Sequence, residues 1–248
     1  YTGSQGSSVL KVFDMTAAVT GLNETNARAA GLAADAVVLS PMSHAGYYPG
    51  GRVMTMKVVF ERETGRLLGG QIVGYEGVDK RIDVLATAIR AGMTAVELKD
   101  LDLAYAPPYS SAKDPVNMAG YVIGNIMDGL MRPFYLEDLD QIPEDAIRLD
   151  VRTEGEYAGG TIPGFINIPL DSLRDRMGEL DLSKDIYITC QIGLRGYIAQ
   201  RILDQAGART WNMSGGYRFY EMKVRDEQSQ AAGMGLCTAC GMEKAALW

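Results

Sequence analysis

Asp185-Ile186-Tyr187-Ile188-Thr189-Cys190-Gln191-Ile192-Gly193-Leu194-Arg195 decides the fold of the second half of this chain. Its first five residues are mostly apolar, β-branched or aromatic, the composition of a strand buried on both faces. Gly193 then interrupts the run, and Tyr197 to Ala206 (YIAQRILDQA) carries helical spacing closed by Gly207 just past its end. Upstream, Ala146-Ile147-Arg148-Leu149-Asp150-Val151 reads as a second strand of the same type. Strands alternating with helices predict a doubly wound parallel sheet. In such sheets ligands bind at the carboxyl ends of the strands, and that is where Cys190 falls.

A cysteine in that position has two readings. It is a small buried hydrophobe, a common fate of free cysteine, or it is a thiolate nucleophile. The second reading has physical support in the loop itself. Gly193 allows a tight turn whose backbone N–H groups can converge on an anion. The helix that follows adds its N-terminal partial positive charge, which favours thiolate over thiol. Arg195 adds a permanent cation with a planar fork of donors. Histidine does not enter, because His44 is the only one in the sequence and lies in the other half of the chain. Asp150 and Arg152 flank a strand end, and as buried charges they are expected to pair and brace the loop rather than to react.

The remainder of the chain bounds these readings. With 248 residues, 47% apolar and 22% charged, the composition is that of a globular protein with room for two domains. A net charge of -7 argues against nucleic acid or an anionic membrane as partner. No apolar run reaches the about 18 residues that span a bilayer. Three cysteines, none before Cys190, make a poor disulfide framework and fit a reducing cytoplasm. The start at Tyr1, without an initiator Met, suggests a piece of something longer. In the first half, Val9 to Phe13 reads as a strand and Asn23 as the N-cap of a helix. Val53 to Glu61 and Arg66 to Val73 read as paired strands, Lys80 to Ala91 as a helix, and the whole as a hairpin or meander flanked by helices. A helical pattern over Met118 to Met127 ends at Gly129 and Pro133, which marks the domain boundary. The segment Tyr105 to Pro115 (YAPPYSSAKDP) is stiffened by its prolines.

Three ordered motifs in residues 134–222 resemble the rhodanese family. The first is Leu149-Asp150-Val151-Arg152, then Glu156-Tyr157, then Gly160 to Pro169 (GTIPGFINIP). The active-site loop follows as Cys190 to Arg195, and the late glycine motif as Ser214-Gly215-Gly216-Tyr217. The resemblance implies a Cys190 persulfide that carries sulfane sulfur, in a six-residue loop sized for sulfur rather than phosphate. Arg195 would assist Cys190, while Gln191, Ile192, Gly193, Leu194 and Gly196 would line the substrate. Thr161 stands where the family usually has His, and Gly196 where Ser is common. The first change is expected to affect packing of the motif, and the second to weaken one hydrogen bond at the loop.

Residues 1–128 resemble the dimerisation domain of the pyridine nucleotide-disulfide oxidoreductases, in the branch of the coenzyme A-disulfide and persulfide reductases. The matching stretches are Lys11-Val12-Phe13-Asp14, Ala18 to Leu22, His44 to Pro49 (HAGYYP), Gly77 to Val84 (GVDKRIDV) and Tyr105 to Pro115. The fold implied is α+β followed by α/β, a mixed-sheet dimerisation domain and then a parallel rhodanese-like one. The resemblance further implies a homodimer in which Tyr47 and Tyr105 approach the partner's redox centre, with Tyr48 and Tyr109 as competitors. His44 is expected to pack or bond locally, since one His makes no metal site. A parent enzyme would use FAD, NAD(P)H and coenzyme A, with the FAD and NADH domains supplied in cis or in trans. This chain has no G-x-G-x-x-G fingerprint, so it is expected to hold none of them alone. Its own partners would be a small sulfur donor and a thiol acceptor. Residues 223–248 read as a tail, in which Cys237 and Cys240 are incidental thiols or a relay for Cys190. The alternative function is a dimerisation and docking module whose rhodanese domain is regulatory and turns over slowly.

Overall fold

The computed structural model describes residues 3–231. The chain divides into two compact units, Tyr1–Met131 and Arg132–Trp248.

The first unit is built on five strands: β1 (Ser8–Val12), β2 (Met15–Gly21), β3 (Ala34–Leu39), β4 (Thr55–Glu61) and β5 (Leu67–Gly74). They pair in the order β1-β2-β5-β4-β3, antiparallel at every step. The expected pairing of β4 with β5 is present, but β2 and β3 complete a full sheet rather than an isolated hairpin. The sheet is thus antiparallel throughout and not internally mixed. Helix α1 (Glu24–Ala29) starts where Asn23 accepts a hydrogen bond from the Asn26 backbone N–H at 2.7 Å. Helix α2 (Val78–Arg90) buries Val78, Ile82, Leu85 and Ala88, the helical stripe visible in the sequence. Helix α3 (Pro115–Met127) opens on a capping box in which Asp114 and Asn117 exchange side-chain and backbone hydrogen bonds. Pro115 occupies the first helical turn, where its missing N–H costs nothing. Met56, Val58, Phe60 and Ile72 from the sheet join Leu85, Val116 and Ile123 from α2 and α3 in one core.

The second unit holds β6 (Pro133–Phe134), β7 (Ile147–Asp150), β8 (Ile166–Asn167), β9 (Asp185–Thr189) and β10 (Arg209–Met213). All pairings are parallel, in the order β6-β10-β9-β7-β8. Its helices are α4 (Glu154–Ala158), α5 (Leu173–Arg176), α6 (Leu194–Gln205) and α7 (Gly216–Ala231). The period-two alternation of β9 divides the core. Ile186 and Ile188 pack with Leu173 of α5 and Ala199 and Leu203 of α6, while Tyr187 packs against Phe134 and Trp211 in the second cluster, which Tyr217 and Tyr220 of α7 also cover. The sheet is therefore covered on both faces, as a doubly wound fold requires. Helix α7 carries regular structure through Ala231, beyond the residue at which a tail was expected to begin. Cys237 and Cys240 lie outside the described residues.

Candidate active sites

Strand β9 ends at Thr189, so Cys190 is the first residue beyond the carboxyl edge of the sheet. Its sulfur accepts a hydrogen bond from the Gly193 backbone N–H at 3.1 Å. Gly193 has φ 99, a left-handed conformation that returns the chain towards the thiol and opens α6 at the next residue. The twelve-residue α6 begins at Leu194, directly after the Gly193 N–H that the sulfur accepts. The loop is fixed from α7 as well: Tyr217 and Arg218 donate backbone N–H groups to the carbonyls of Cys190 and Gln191 at 2.8 and 3.0 Å. Gly216 makes that approach feasible. It has φ 62, and a Cβ there would sit 2.5 Å from the Cys190 carbonyl oxygen.

Arg195 does not aim its fork at the sulfur. Its two terminal nitrogens donate to the two carboxylate oxygens of Glu156, each at 2.7 Å. That guanidinium, together with backbone and hydroxyl donors on Thr153, holds the Glu156 carboxyl down at about 2. Glu156 is thus doubly used, since the same carboxylate completes the capping box of α4 with Thr153. Arg152 is buried and bidentate on Asp150, with Nη2 to Oδ2 at 2.7 Å. It also donates to the Gly160 carbonyl at 2.7 Å and to Gln191 Oε1 at 3.5 Å, and its guanidinium lies 3.8 Å from the Tyr217 ring centroid. The Asp150–Arg152 pair therefore braces the loop, as the sequence suggested. Thr161 hydroxyl reaches Asp150 Oδ2 at 3.4 Å. Gly196 leaves room for Asn212, whose side-chain N–H donates to the Gly193 carbonyl at 3.0 Å. Asn212 thus ties the loop on the side where a serine was missing. Cys190 itself is buried, Gln191 and Gly193 are half-buried, and Ile192 and Leu194 are exposed.

In the first unit the phenols of Tyr47 and Tyr105 are hydrogen-bonded at 2.7 Å and lie largely in solvent. The Tyr47 hydroxyl raises the Tyr105 phenol above its ordinary range. Tyr48 packs edge-on against His44, whose Nδ1 meets the Ala45 carbonyl at 3.1 Å, and Tyr109 is exposed. A cleft of about 470 Å³ opens among His44, Lys80, Tyr105 and Tyr109.

What holds these loops is Arg81, to which the sequence reading assigned no role. Its guanidinium is buried and donates to Asp114 Oδ2 and the Ser43 carbonyl at 2.9 Å, to Gly77 at 3.2 Å and to Tyr109 at 3.3 Å. One side chain therefore ties together the segments that carry Tyr47, Tyr105 and Tyr109. The available signal was an arginine on the otherwise apolar stripe Val78-Ile82-Leu85 of α2. Among the described residues no cluster of His, Cys, Asp and Glu could hold a metal ion, and no helix is long and apolar enough to cross a membrane.

Residues 7–115 match the family described as pyridine nucleotide-disulphide oxidoreductase, dimerisation domain, and residues 135–223 match the rhodanese-like domain. The coenzyme A disulfide reductase of Staphylococcus epidermidis is 38% identical over 121 residues, 49% of this chain and 27% of that protein. The enzyme of the same name from Staphylococcus haemolyticus is 41% identical over the same length. Two solved structures each align with 89% of this chain and 40% of their own. The reduced CoADR-RHD of Bacillus anthracis has TM-score 0.86 at 49% identity, and an NAD-dependent persulfide reductase from A. fulgidus has TM-score 0.81 at 42%. The chain thus spans about a quarter of the length of the curated relatives it matches. A paired-phenol antiparallel unit followed by a parallel unit with a cysteine at its strand end is the arrangement that falls on these matches, and the chain carries a pyridine nucleotide-disulphide oxidoreductase dimerisation domain followed by a rhodanese-like domain.

Proposed function

We propose that Cys190 transfers sulfur as a persulfide, within a flavin-dependent coenzyme A-disulfide, persulfide or polysulfide reductase. The observation that carries this reading is the Gly193 N–H on the Cys190 sulfur at the carboxyl end of β9. The thiolate attacks the outer sulfur of a donor R–S–SH. A Cys190–S bond forms, the donor S–S bond breaks, and R–S⁻ leaves with the electron pair. An acceptor thiolate then removes the sulfur and regenerates Cys190. Arg195, held by Glu156, shapes the loop, and Gln191, Ile192, Gly193, Leu194 and Gly196 form the wall that the sulfur enters.

The relatives imply FAD and NAD(P)H in a parent enzyme, and their names add coenzyme A and persulfide as substrates of those proteins. Residues of this chain fit such a setting at one place, the exposed and hydrogen-bonded Tyr47–Tyr105 pair. In a homodimer these phenols would face the partner's redox centre and hold or pass a proton there. Domain limits of 1–128, 134–222 and 223–248 and a cytoplasmic location belong to the same reading. The burial of Cys190 favours a second reading, a docking and regulatory module with slow turnover. One experiment separates them. Thiosulfate or polysulfide is supplied with cyanide as acceptor, and thiocyanate release is compared between the parent chain and Cys190→Ala. Release that depends on Cys190 supports sulfur transfer. Equal release from both proteins removes Cys190 from the chemistry, and no release from either leaves the docking module.

A further inference from the structure

The Cys190 side chain is enclosed, so a sulfur donor reaches it past the loop that surrounds it. Cys190 is 1% exposed, and its sulfur accepts the Gly193 N–H at 3.1 Å. Ile192 and Leu194 flank that glycine in the chain, one on each side, and are 38% and 56% exposed. Ile198 is 41% exposed and is the (i, i+4) neighbour of Leu194 on the surface of α6. The carbonyls of Cys190 and Gln191 are already taken by the N–H groups of Tyr217 and Arg218. The open rim beside the sulfur is therefore apolar. It is also uncharged from Gln191 to Leu194. The two guanidinium groups that brace this loop are committed in advance. Arg195 is bidentate on Glu156, both bonds at 2.7 Å, and Arg152 is bidentate on buried Asp150. Neither can give its fork to a second anion without releasing the first. An oxoanion would shed hydration against this rim with neither guanidinium free to replace it, which is costly. An alkyl arm gains from the same contact, because water leaves apolar surface on both partners.

We infer that Ile192 and Leu194 are specificity-determining residues at Cys190, selecting donors whose persulfide is carried on an uncharged, apolar arm over small oxoanion donors. The inference rests on the sulfur-transfer reading of Cys190. In that step the Cys190 thiolate bonds the outer sulfur of R–S–SH, the S–S bond breaks, and R–S⁻ leaves with the electron pair. The sulfur arrives on Cys190 as a persulfide, and no external oxidant or reductant is consumed. Ile192 and Leu194 take no part in bond breaking; they hold R at the mouth of the loop.

The test loads Cys190 of the full chain from ethyl, butyl and hexyl persulfides and from thiosulfate. KM is expected to fall about tenfold from ethyl to hexyl, short of the gain for full burial because the rim is half open. Thiosulfate should load with kcat/KM at least about tenfold below that of hexyl persulfide. Ile192→Ser and Leu194→Ser, both at exposed positions, should each lower the hexyl-to-ethyl selectivity about threefold. A KM independent of chain length, or thiosulfate loading as well as hexyl persulfide, overturns the inference even though Cys190 turns over. Selectivity unchanged in both variants overturns it as well. If no donor loads Cys190, the sulfur-transfer reading fails, and alkylation then decides the rim alone. Cys190 is alkylated with iodoacetate and with N-butyl iodoacetamide, each rate divided by that of free cysteine. A preference for the butyl reagent that Leu194→Ser lowers supports the apolar rim, and equal or inverted rates overturn it.

Discussion

Cys190 is one residue past a strand end with its sulfur on a backbone N–H three residues on, whereas Tyr47 and Tyr105 are 58 residues apart and meet through their hydroxyls. The parallel unit makes its candidate centre from one short stretch of chain, and Arg152 and Arg195 brace it from outside. The antiparallel unit gathers three separate segments around one buried guanidinium, Arg81, and displays the phenols on the loops so fixed. A locally encoded centre tolerates loss of a brace with modest displacement. A centre assembled from distant loops depends on its central tie.

That difference predicts an order of sensitivity. Arg81→Leu should have the largest effect, because it leaves buried Asp114 with only the Lys80 ammonium, 3.8 Å away; breaking such a buried pair costs about 3–5 kcal/mol. Urea unfolding measures the loss, and a cost under about 1 kcal/mol would contradict the central tie. Gly216→Ala comes next. A side chain at φ 62 is strained, and its Cβ would press on the Cys190 carbonyl, so about 1–3 kcal/mol should be lost. The Cys190 alkylation rate should change with it, and an unchanged rate would mean that α7 does not set the loop.

The Arg195–Glu156 brace is smaller. The Glu156 carboxyl lies at about 2 in the folded chain against 4.5 ordinarily, so its contribution is present above pH 4.5 and fades as pH falls towards 2. Because both side chains are about a third exposed, the contribution is discounted to about 1 kcal/mol. Glu156→Gln should flatten the acid limb of the stability profile between those pH values, and an unaltered limb would show the pair to be idle. Tyr47→Phe should change stability least. It removes the hydrogen bond that raises the Tyr105 phenol, so ultraviolet titration should show that phenol ionising at lower pH than in the parent chain.

The same contrast explains what was legible in the sequence. Strand β9, Cys190, Gly193 and the Asp150–Arg152 brace could be read because each lies within a few residues of the feature it explains. Tyr47 and Tyr105 were selected by resemblance, and the structure brings their hydroxyls together. Strands β2 and β3 were missed since their pattern is set by partners across the sheet, not by their own alternation. Arg81 and Asn212 were missed because their partners are distant in sequence; Asn212 acts on Gly193 across 19 residues. Arg195 was read as a direct activator of Cys190, but its fork is occupied by Glu156. The capping box Thr153-x-x-Glu156 was visible in sequence, and its second use towards Arg195 was not.

The most direct test is to find where sulfur resides. The chain is incubated with thiosulfate or polysulfide, alkylated and digested, and its peptides are weighed. One added sulfur atom is expected on the peptide that carries Cys190, and none in Cys190→Ala. An unmodified Cys190 peptide, with sulfur found only on the peptide of Cys237 and Cys240, would contradict sulfur transfer at Cys190.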